Sequence, residues 1–497
     1  MAQDTSLFEK FKETGKHGII YGVGSILEKA LAFLLLPLYT TRFAASDYGI
    51  LGLVTTTGTV LSIIFTIGMN VGLLRSYYDY DDEESRKKVV STSFYIVLIS
   101  SIIMLILGIS FSRYLSFLLF KSADYNLHFI IIVITSVFNI LNIIPLIIFR
   151  IKKKSVHFII FQTSFLAIGI GIIIYLVNYR HMGILGSLIG NLAMSVIGCI
   201  TLYIYFRREI VFKFLKVEGK KMLLLGLPLI PSDLSVFVFT AIDRYFLNYY
   251  STTKELGLYN LAYNFGNMMT VLIATPISLI WPVMYLSVKD HDNAKEFYSR
   301  TLTYTLTVSF FLFLILSLLS KEVLQIMSNK EYWGANAVIP LIVLTYSLWS
   351  IRKIINVAST LKRKMLGLAI VNFGGAAVNI GLNFLLIPRY GILGAGYSTL
   401  ITYILVIIAL IIYNQSLMKI NYEWFRLLKL AVVTAAIFAA GYFIKIDRLS
   451  LSILYKIAII LLFPLLLYVI RFFTKNEIQR AKNACIKFSF KIKTKKK

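Results

Sequence analysis

The sequence predicts an all-α, polytopic membrane protein with about 14 transmembrane helices. Three observations support this fold class: 58% of the 497 residues are hydrophobic, only 15% are charged, and long apolar runs recur along the whole chain. Soluble domains have about 45–50% apolar and about 25% charged residues. A soluble protein of this composition could not cover its surface with polar side chains. That class is therefore excluded, together with disordered and disulfide-rich proteins.

The apolar runs place the helices, because a transmembrane helix needs about 20 residues to cross the hydrocarbon layer. They form a set of six, a second set of six and a final pair. Predicted helices 1 to 14 lie near residues 18–40, 48–74, 89–112, 128–149, 155–178, 182–206, 222–242, 256–286, 301–320, 335–357, 365–387, 391–414, 427–446 and 450–472.

Basic residues in the connections test this helix count. With the N-terminus inside and the connections assigned alternately, 38 of the 51 Lys and Arg residues are cytoplasmic and 11 are outside; Lys29 and Lys456 lie within apolar runs. Cytoplasmic loops are enriched in Lys and Arg. The distribution therefore predicts that both termini are cytoplasmic. It also accounts for the net charge of +27, so we expect no nucleic-acid partner.

An internal repeat divides the chain, since three short segments return at offsets of 208 to 210 residues. The pairs are 47–51 with 255–259, 152–154 with 362–364, and 183–186 with 391–394. An even number of helices separates the copies, so the two halves are related by a parallel repeat. Two bundles that rock around a shared space are typical of a transporter.

The repeat also predicts the domain organisation, with two parallel six-helix lobes around a central cavity and two further C-terminal helices. The predicted parts are a cytoplasmic N-terminus (1–17), an N-lobe with helices 1–6 (18–206), a basic cytoplasmic linker (207–221), a C-lobe with helices 7–12 (222–414), helices 13 and 14 (415–472) and a basic cytoplasmic tail (473–497).

Three motifs resemble those of the bacterial polysaccharide exporters, which are the flippases for O-antigen and capsule repeat units. They are FLLLPLYTTR at 33–42 followed by DYG at 47–49, DRYFL at 243–247 followed by GLY at 257–259, and IPRYGILGA at 387–395. The resemblance runs from about residue 15 to residue 415. It implies the fold of the multidrug/oligosaccharidyl-lipid/polysaccharide exporter superfamily.

The resemblance also implies an activity in the bacterial plasma (inner) membrane. Members of this family translocate an undecaprenyl-pyrophosphate-linked oligosaccharide repeat unit by alternating access. The expected coupling ion is H⁺ or Na⁺. A polymerase or ligase of the same pathway would use the product outside. The alternatives are a cation-coupled small-molecule (multidrug-type) exporter and a lipid II flippase. The sequence has no GxxxxGK[ST] or HExxH motif, so we expect a transporter with no cofactor or metal and not an enzyme.

Charged residues inside predicted helices are candidate functional residues, because burying a charge in a membrane is costly. We predict that Lys29, Arg352 and Lys353 bind the pyrophosphate, and that Glu28 or Asp233 is the coupling carboxylate. Alternatively, Lys29 pairs with one of these carboxylates, and Arg352 and Lys353 extend to the cytoplasmic interface. For Lys456 the expected role is the same extension to an interface.

Uncharged polar residues at helical spacing suggest a path for sugars. We predict that Asn260, Asn264 and Asn379 line the cavity and bind sugar hydroxyl groups. The alternative is hydrogen bonding between helices, for which Asn is common in membrane bundles. Asp243 and Arg244, near the end of predicted helix 7, are interpreted as a helix-end ion pair.

Overall fold

The computed structural model describes residues 24, 27, 31, 35–444, 446–475 and 477–479. Most of predicted helix 1 is outside this part, including Glu28 and Lys29. The basic tail from residue 480 onward is outside it as well. Every helix or turn discussed below belongs to the described residues.

The described residues of the first half form seven α-helices. These are α1 (Leu35–Arg42), α2 (Ala45–Phe65), α3 (Met69–Tyr77), α4 (Glu83–Phe120), α5 (Asn126–Ile151), α6 (Ser155–Ile174) and α7 (Gly183–Tyr205), with a π-helical turn (Tyr175–Tyr179) that ends α6. Asp82 precedes α4 as its N-cap, and its carboxylate accepts a hydrogen bond from the Ser85 backbone N–H at 2.7 Å, as is typical of this position.

The second half repeats the pattern and adds a hairpin. Its helices are α8 (Lys216–Gly226), α9 (Leu229–Ala241), α10 (Asp243–Tyr250), α11 (Thr253–Met269), α12 (Thr275–Val288), α13 (Ala294–Leu318), α14 (Ser320–Met327), α15 (Ile339–Trp349), α16 (Arg352–Ile355), α17 (Val357–Leu361), α18 (Leu366–Leu417), α19 (Trp424–Phe443) and α20 (Leu449–Val469). A π-helical turn (Thr270–Ala274) follows α11, and a 3₁₀ segment (Lys330–Ala337) precedes α15.

Twelve helical segments of the described chain, some of which join consecutive helices such as α2 and α3, are long and apolar enough to cross a membrane. One of them, α18, has 52 residues, which at 1.5 Å per residue is about 78 Å and more than twice the hydrocarbon thickness. It is broken at Gly391, where φ is 52° and ψ is −129°. Helix α18 therefore corresponds to predicted helices 11 and 12. The protein is an all-helical, multi-pass membrane protein, and the count of fourteen stays a prediction.

Repeat-related residues adopt the same unusual backbone conformation. Gly183 and Gly391 have φ of 54° and 52°, and Lys153 and Arg363 have φ of 52° and 55°. Such left-handed values are uncommon outside glycine. They occur at the same turns of the two halves, which is what a structural repeat requires.

Two helix bundles pack side by side. In the first half, α5 contacts α2, α4 and α7; in the second half, α15 contacts α11, α13 and α18. The bundles meet where α2 crosses α11 and, less extensively, where α2 contacts α9. Helix α8 packs on α3 and α4, whereas α9, which follows Pro228, packs on α18. The chain thus passes from one bundle to the other near this proline.

The C-terminal hairpin of α19 and α20 packs against α13 on the second bundle. Phe313 packs against Phe438 in a tilted arrangement at a centroid distance of 5.3 Å, and Phe311 stacks with Phe463 at 5.8 Å. The hairpin therefore extends one bundle and leaves the contact between the bundles free.

Candidate functional site

The two bundles touch most closely where α2 crosses α11. A Cβ atom added to Gly49 would overlap the carbonyl oxygen of Thr253, and one added to Gly257 would overlap the carbonyl oxygen of Ala45. Glycine allows two helix backbones to approach this closely. We call this crossing the glycine contact; it closes one end of the space between the bundles.

Hydrogen bonds reinforce the closure beside the glycine contact. The Tyr332 hydroxyl lies 3.1 Å from the carbonyl oxygens of both Phe43 and Ala44. The Ala45 backbone N–H donates to Glu331 Oε2 at 3.2 Å, and the Thr40 hydroxyl donates to the Met327 carbonyl at 2.8 Å. This 40–45/327–332 network joins the turn before α2 to the segment around the 3₁₀ turn, so it must break if the bundles separate here.

A cavity of about 260 Å³ lies directly beneath the glycine contact. Side chains of both bundles line it, so we call it the interlobe cavity. Its lining residues are Tyr39, Tyr48, Leu51, Gly52, Thr55, Thr56, Asn191, Arg244, Asn260, Tyr263, Asn264 and Asn267. Hydroxyl and amide groups dominate, and Arg244 is the charged member of this set.

The Arg244 guanidinium is held in place by four contacts. Its Nε donates to Asn260 Oδ1 at 2.9 Å, its Nη1 donates to the Thr240 carbonyl at 3.2 Å, and its Cζ lies 4.2 Å from the Tyr263 ring centroid. The fourth contact is an ion pair with Asp243 at 3.8 Å. A guanidinium stacked on a ring and bonded along its edge has little freedom to reorient.

The Asp243 carboxylate is almost fully buried, with 1% of the residue exposed. Its Oδ2 accepts hydrogen bonds from Tyr259, from Tyr263 at 2.8 Å and from Thr399 at 3.2 Å. Its Oδ1 accepts none from the described residues. The aspartate is thus the centre of a network that links α10, α11 and α18, and it is more than a helix-end ion pair.

A second cavity of about 230 Å³ lies within the second bundle, and we call it the C-lobe cavity. Arg352 and Lys353 line it together with Trp349 and Tyr403. The Arg352 guanidinium stacks over the Trp349 ring at 4.2 Å and donates to Asn372 Oδ1 at 3.0 Å. Among the described residues, neither Arg352 nor Lys353 forms an ion pair with a carboxylate. The cavity therefore carries unbalanced positive charge.

Aromatic rings separate the two cavities. Tyr263 lines the interlobe cavity and Tyr346 lines the C-lobe cavity, and the two rings meet edge to face at 5.9 Å. Arg244 stacks on Tyr263, and Arg352 lines the same cavity as Tyr346. The polar centres of the two cavities are therefore neighbours.

The structure places the predicted site residues in different surroundings. Asn260 and Asn264 line the interlobe cavity, and Arg352 and Lys353 line the C-lobe cavity. Asn379 lines neither, because it is buried and donates to Thr402 at 3.3 Å within the second bundle. Asp233 is exposed and also lines neither cavity. Glu28 and Lys29 are outside the described residues.

Comparison with solved structures identifies the fold. A structure described as "Lipid II flippase MurJ, inward closed conformation" superposes with a TM-score of 0.74 at 17% identity, covering 91% of this chain and 100% of the other. An inward-facing multidrug resistance MATE family transporter gives 0.66 at 12% identity, covering 78% and 94%. A transporter of the MOP superfamily from Pyrococcus furiosus gives 0.60 at 13% identity, covering 81% and 95%. The chain has the fold that these transporters share.

Sequence comparison then assigns the family. Residues 14–287 match the family described as "Polysaccharide biosynthesis protein", which is more than half of the chain, so the protein belongs to this family. A curated relative, "Lsg locus putative protein 1" of Haemophilus influenzae, is 24% identical over 283 residues. The match covers 55% of this chain and 66% of that relative, just under two thirds of its length. The predicted resemblance to polysaccharide exporters is confirmed.

Proposed function

We propose that the protein is a flippase that moves an undecaprenyl-pyrophosphate-linked oligosaccharide repeat unit across the bacterial plasma membrane. One observation carries the proposal: the C-lobe cavity presents Arg352 and Lys353 without a balancing carboxylate among the described residues. The polysaccharide biosynthesis family and the transporter fold support it. Under this proposal, the pyrophosphate of the cargo binds to these two cations.

A pyrophosphate is the anion that suits this cavity. Arg352 is half-buried and Lys353 is exposed, and two neighbouring cations without a carboxylate partner suit a ligand of opposite charge. The Arg352 guanidinium is fixed by Trp349 and Asn372, which leaves its remaining N–H groups for phosphate oxygens. Guanidinium groups bind phosphate with two parallel hydrogen bonds. Lys353 adds a second, more mobile charge.

The predicted topology orients the closed end of the structure. If the basic loops are cytoplasmic, as the Lys and Arg distribution predicts, the glycine contact lies on the outer side. The described conformation is then closed to the outside. Separation of α2 from α11 would open the interlobe cavity outward and deliver the sugars to that side.

Coupling to an ion requires a carboxylate whose charge affects the contact between the bundles. Asp233 and Glu28 stay predictions for this role. Asp243 is a stronger candidate, because it is buried, bonds both α11 and α18, and leaves Oδ1 without a hydrogen bond among the described residues. Binding of a proton or cation at this oxygen would weaken its hold on Arg244.

Mass spectrometry of lipid extracts tests the proposal. Cells that lack the protein should accumulate a complete polyprenyl-pyrophosphate-linked unit and lose the surface polymer. Arg352→Glu should reproduce this accumulation with the protein still inserted, because the pyrophosphate then meets a negative charge. The control is Arg389→Glu, which changes an exposed arginine of the same lobe and should leave export intact. An unchanged lipid pool in the deletion strain would contradict the proposal, and dye efflux would then test the small-molecule exporter.

A further inference from the structure

The interlobe cavity has hydrogen-bonding capacity that the protein does not use. Four asparagines line it: Asn191, Asn260, Asn264 and Asn267. The amide nitrogen of Asn260 is buried and has no hydrogen-bond partner among the described residues, whereas Asn191 is half-buried and Asn267 is exposed. Burying polar groups without partners is unfavourable. The Asn260 amide therefore indicates a hydrogen-bonding ligand, and the Asn191 and Asn267 amides, which line the same cavity, are accessible to it.

The charge in this cavity is balanced, unlike that in the C-lobe cavity. Arg244, the charged lining residue, is paired with Asp243 at 3.8 Å. The other lining side chains are amides, hydroxyls and tyrosine rings, with Leu51 as the aliphatic exception. A site of this kind favours a neutral ligand with many hydroxyl or amide groups and flat apolar faces. Sugar rings have this chemistry, since ring faces pack on tyrosines and hydroxyl groups bond to amides.

The volume and the position of the cavity support the same ligand. Its volume of about 260 Å³ is just below the range of roughly 300–1,000 Å³ for sites that hold drug-sized ligands. It therefore suits a terminal portion of an oligosaccharide better than a whole repeat unit. Asn191 and Tyr39 come from the first bundle, and Asn260 and Asn267 come from the second. A ligand held between them contacts both bundles directly beneath the glycine contact.

We propose that the interlobe cavity is a separate site for neutral sugar residues of the cargo, and that Asn191 and Asn267 determine which sugars it accepts. The inference rests on the proposed function, in which Arg352 binds the pyrophosphate. The two ends of one polar headgroup thus bind to different cavities. One site recognises the charge that all such cargoes share, and the other recognises the sugar that distinguishes them.

Export of two cargoes tests this assignment. The first cargo is the complete lipid-linked unit, and the second is the truncated unit from a strain that lacks the last glycosyltransferase. The fraction of each unit on the outer leaflet is measured by mass spectrometry. The wild type should export the complete unit faster. Asn191→Ala and Asn267→Ala should each slow its export about threefold to tenfold and leave export of the truncated unit nearly unchanged.

Two controls separate sugar recognition from general damage. Arg352→Ala should slow export of both cargoes by the same factor, because both carry the pyrophosphate. Asn293→Ala should change neither, since Asn293 is an exposed residue whose side chain does not cap α13. Equal export of the two cargoes by the wild type, or equal losses in the asparagine variants, would overturn the sugar site and leave the flippase proposal standing. An unchanged lipid pool in the deletion strain would contradict both the sugar site and the flippase proposal.

Discussion

Gly49 and Gly257 are related by the internal repeat, and each faces the backbone of the other's helix. Gly49 lies against the carbonyl of Thr253 and Gly257 against the carbonyl of Ala45. The two halves of the chain therefore meet symmetrically around one crossing. Because backbone packs directly on backbone here, a larger side chain at either position would overlap the other helix. The closed contact between the bundles therefore depends on these two glycines.

Gly257→Ala should shift the protein away from the closed state, because the new methyl group would overlap the Ala45 carbonyl. With Cys199 and Cys485 replaced by serine, Thr56→Cys places a thiol in the interlobe cavity. Under the proposed topology, an impermeant maleimide added outside should label it several times faster in the Gly257→Ala variant. Gly381→Ala is the matched control, since open space surrounds Gly381. Equal labelling in the two variants would show that the crossing is not the barrier.

Tyr332→Phe removes the hydroxyl that lies against the Phe43 and Ala44 carbonyls. A net loss of about 1 kcal/mol for such a hydrogen bond corresponds to roughly a fivefold shift in population. We expect a fivefold increase in outside labelling of Thr56→Cys, with normal insertion. Tyr390→Phe, at an exposed tyrosine, should leave labelling at the wild-type rate. Wild-type labelling in Tyr332→Phe would mean that the 40–45/327–332 network does not contribute to closure.

The sequence predicts that Lys456 extends to a membrane interface, but the structure shows it buried beside a carboxylate. It is buried, and its Nζ lies 2.6 Å from Glu322 Oε1, which also accepts from Ser452 at 2.6 Å. Lys456→Met leaves Glu322 buried without its partner and should destabilise the protein by about 3 kcal/mol. The double variant Lys456→Met/Glu322→Gln should recover most of the loss, as measured by thermal unfolding in detergent. Additive losses in the double variant would argue against a coupled pair.

The same pair predicts a dependence of stability on pH. Burial alone would raise the pKa of Glu322, but the bonds from Lys456 and Ser452 outweigh it and hold the pKa below its ordinary value of 4.5. A lowered folded-state pKa contributes stability that is present above pH 4.5 and is lost as the pH falls further. The melting temperature of the wild type should therefore fall below pH 4.5 more steeply than that of Lys456→Met/Glu322→Gln. Parallel pH profiles would contradict this role.

The helix pattern and the repeat could be predicted from the sequence, as could several residues that line the two cavities. Apolar run lengths place most of the helices, and the returning Gly183 and Gly391 mark equivalent turns because both require a positive φ. Arg352 and Asn264 were identifiable because a charge or amide within an apolar run needs a partner or a cavity.

The other features of the candidate site depend on which helix faces contact each other. Asn379 and Asn264 look alike in sequence, since helical spacing defines a face and does not say what that face contacts. One of them bonds to Thr402 inside a bundle, and the other lines the interlobe cavity. Asp243 was missed for a related reason: its partner Thr399 is 156 residues away, and the adjacent Arg244 suggested a simpler pairing.

Asp243→Asn tests whether this buried carboxylate couples an ion to transport. The variant keeps the size of the side chain and removes the charge that balances Arg244, which should slow export of the lipid-linked unit at least about tenfold. Asp243→Asn/Arg244→Gln restores neutrality and should recover insertion and thermal stability. If Asp243 binds the coupling ion, the residual export of this double variant should no longer respond to the outside pH or Na⁺ concentration. A double variant with a normal ion response would leave Asp243 as a structural partner of Arg244, and Glu28 and Asp233 would be the next variants to measure.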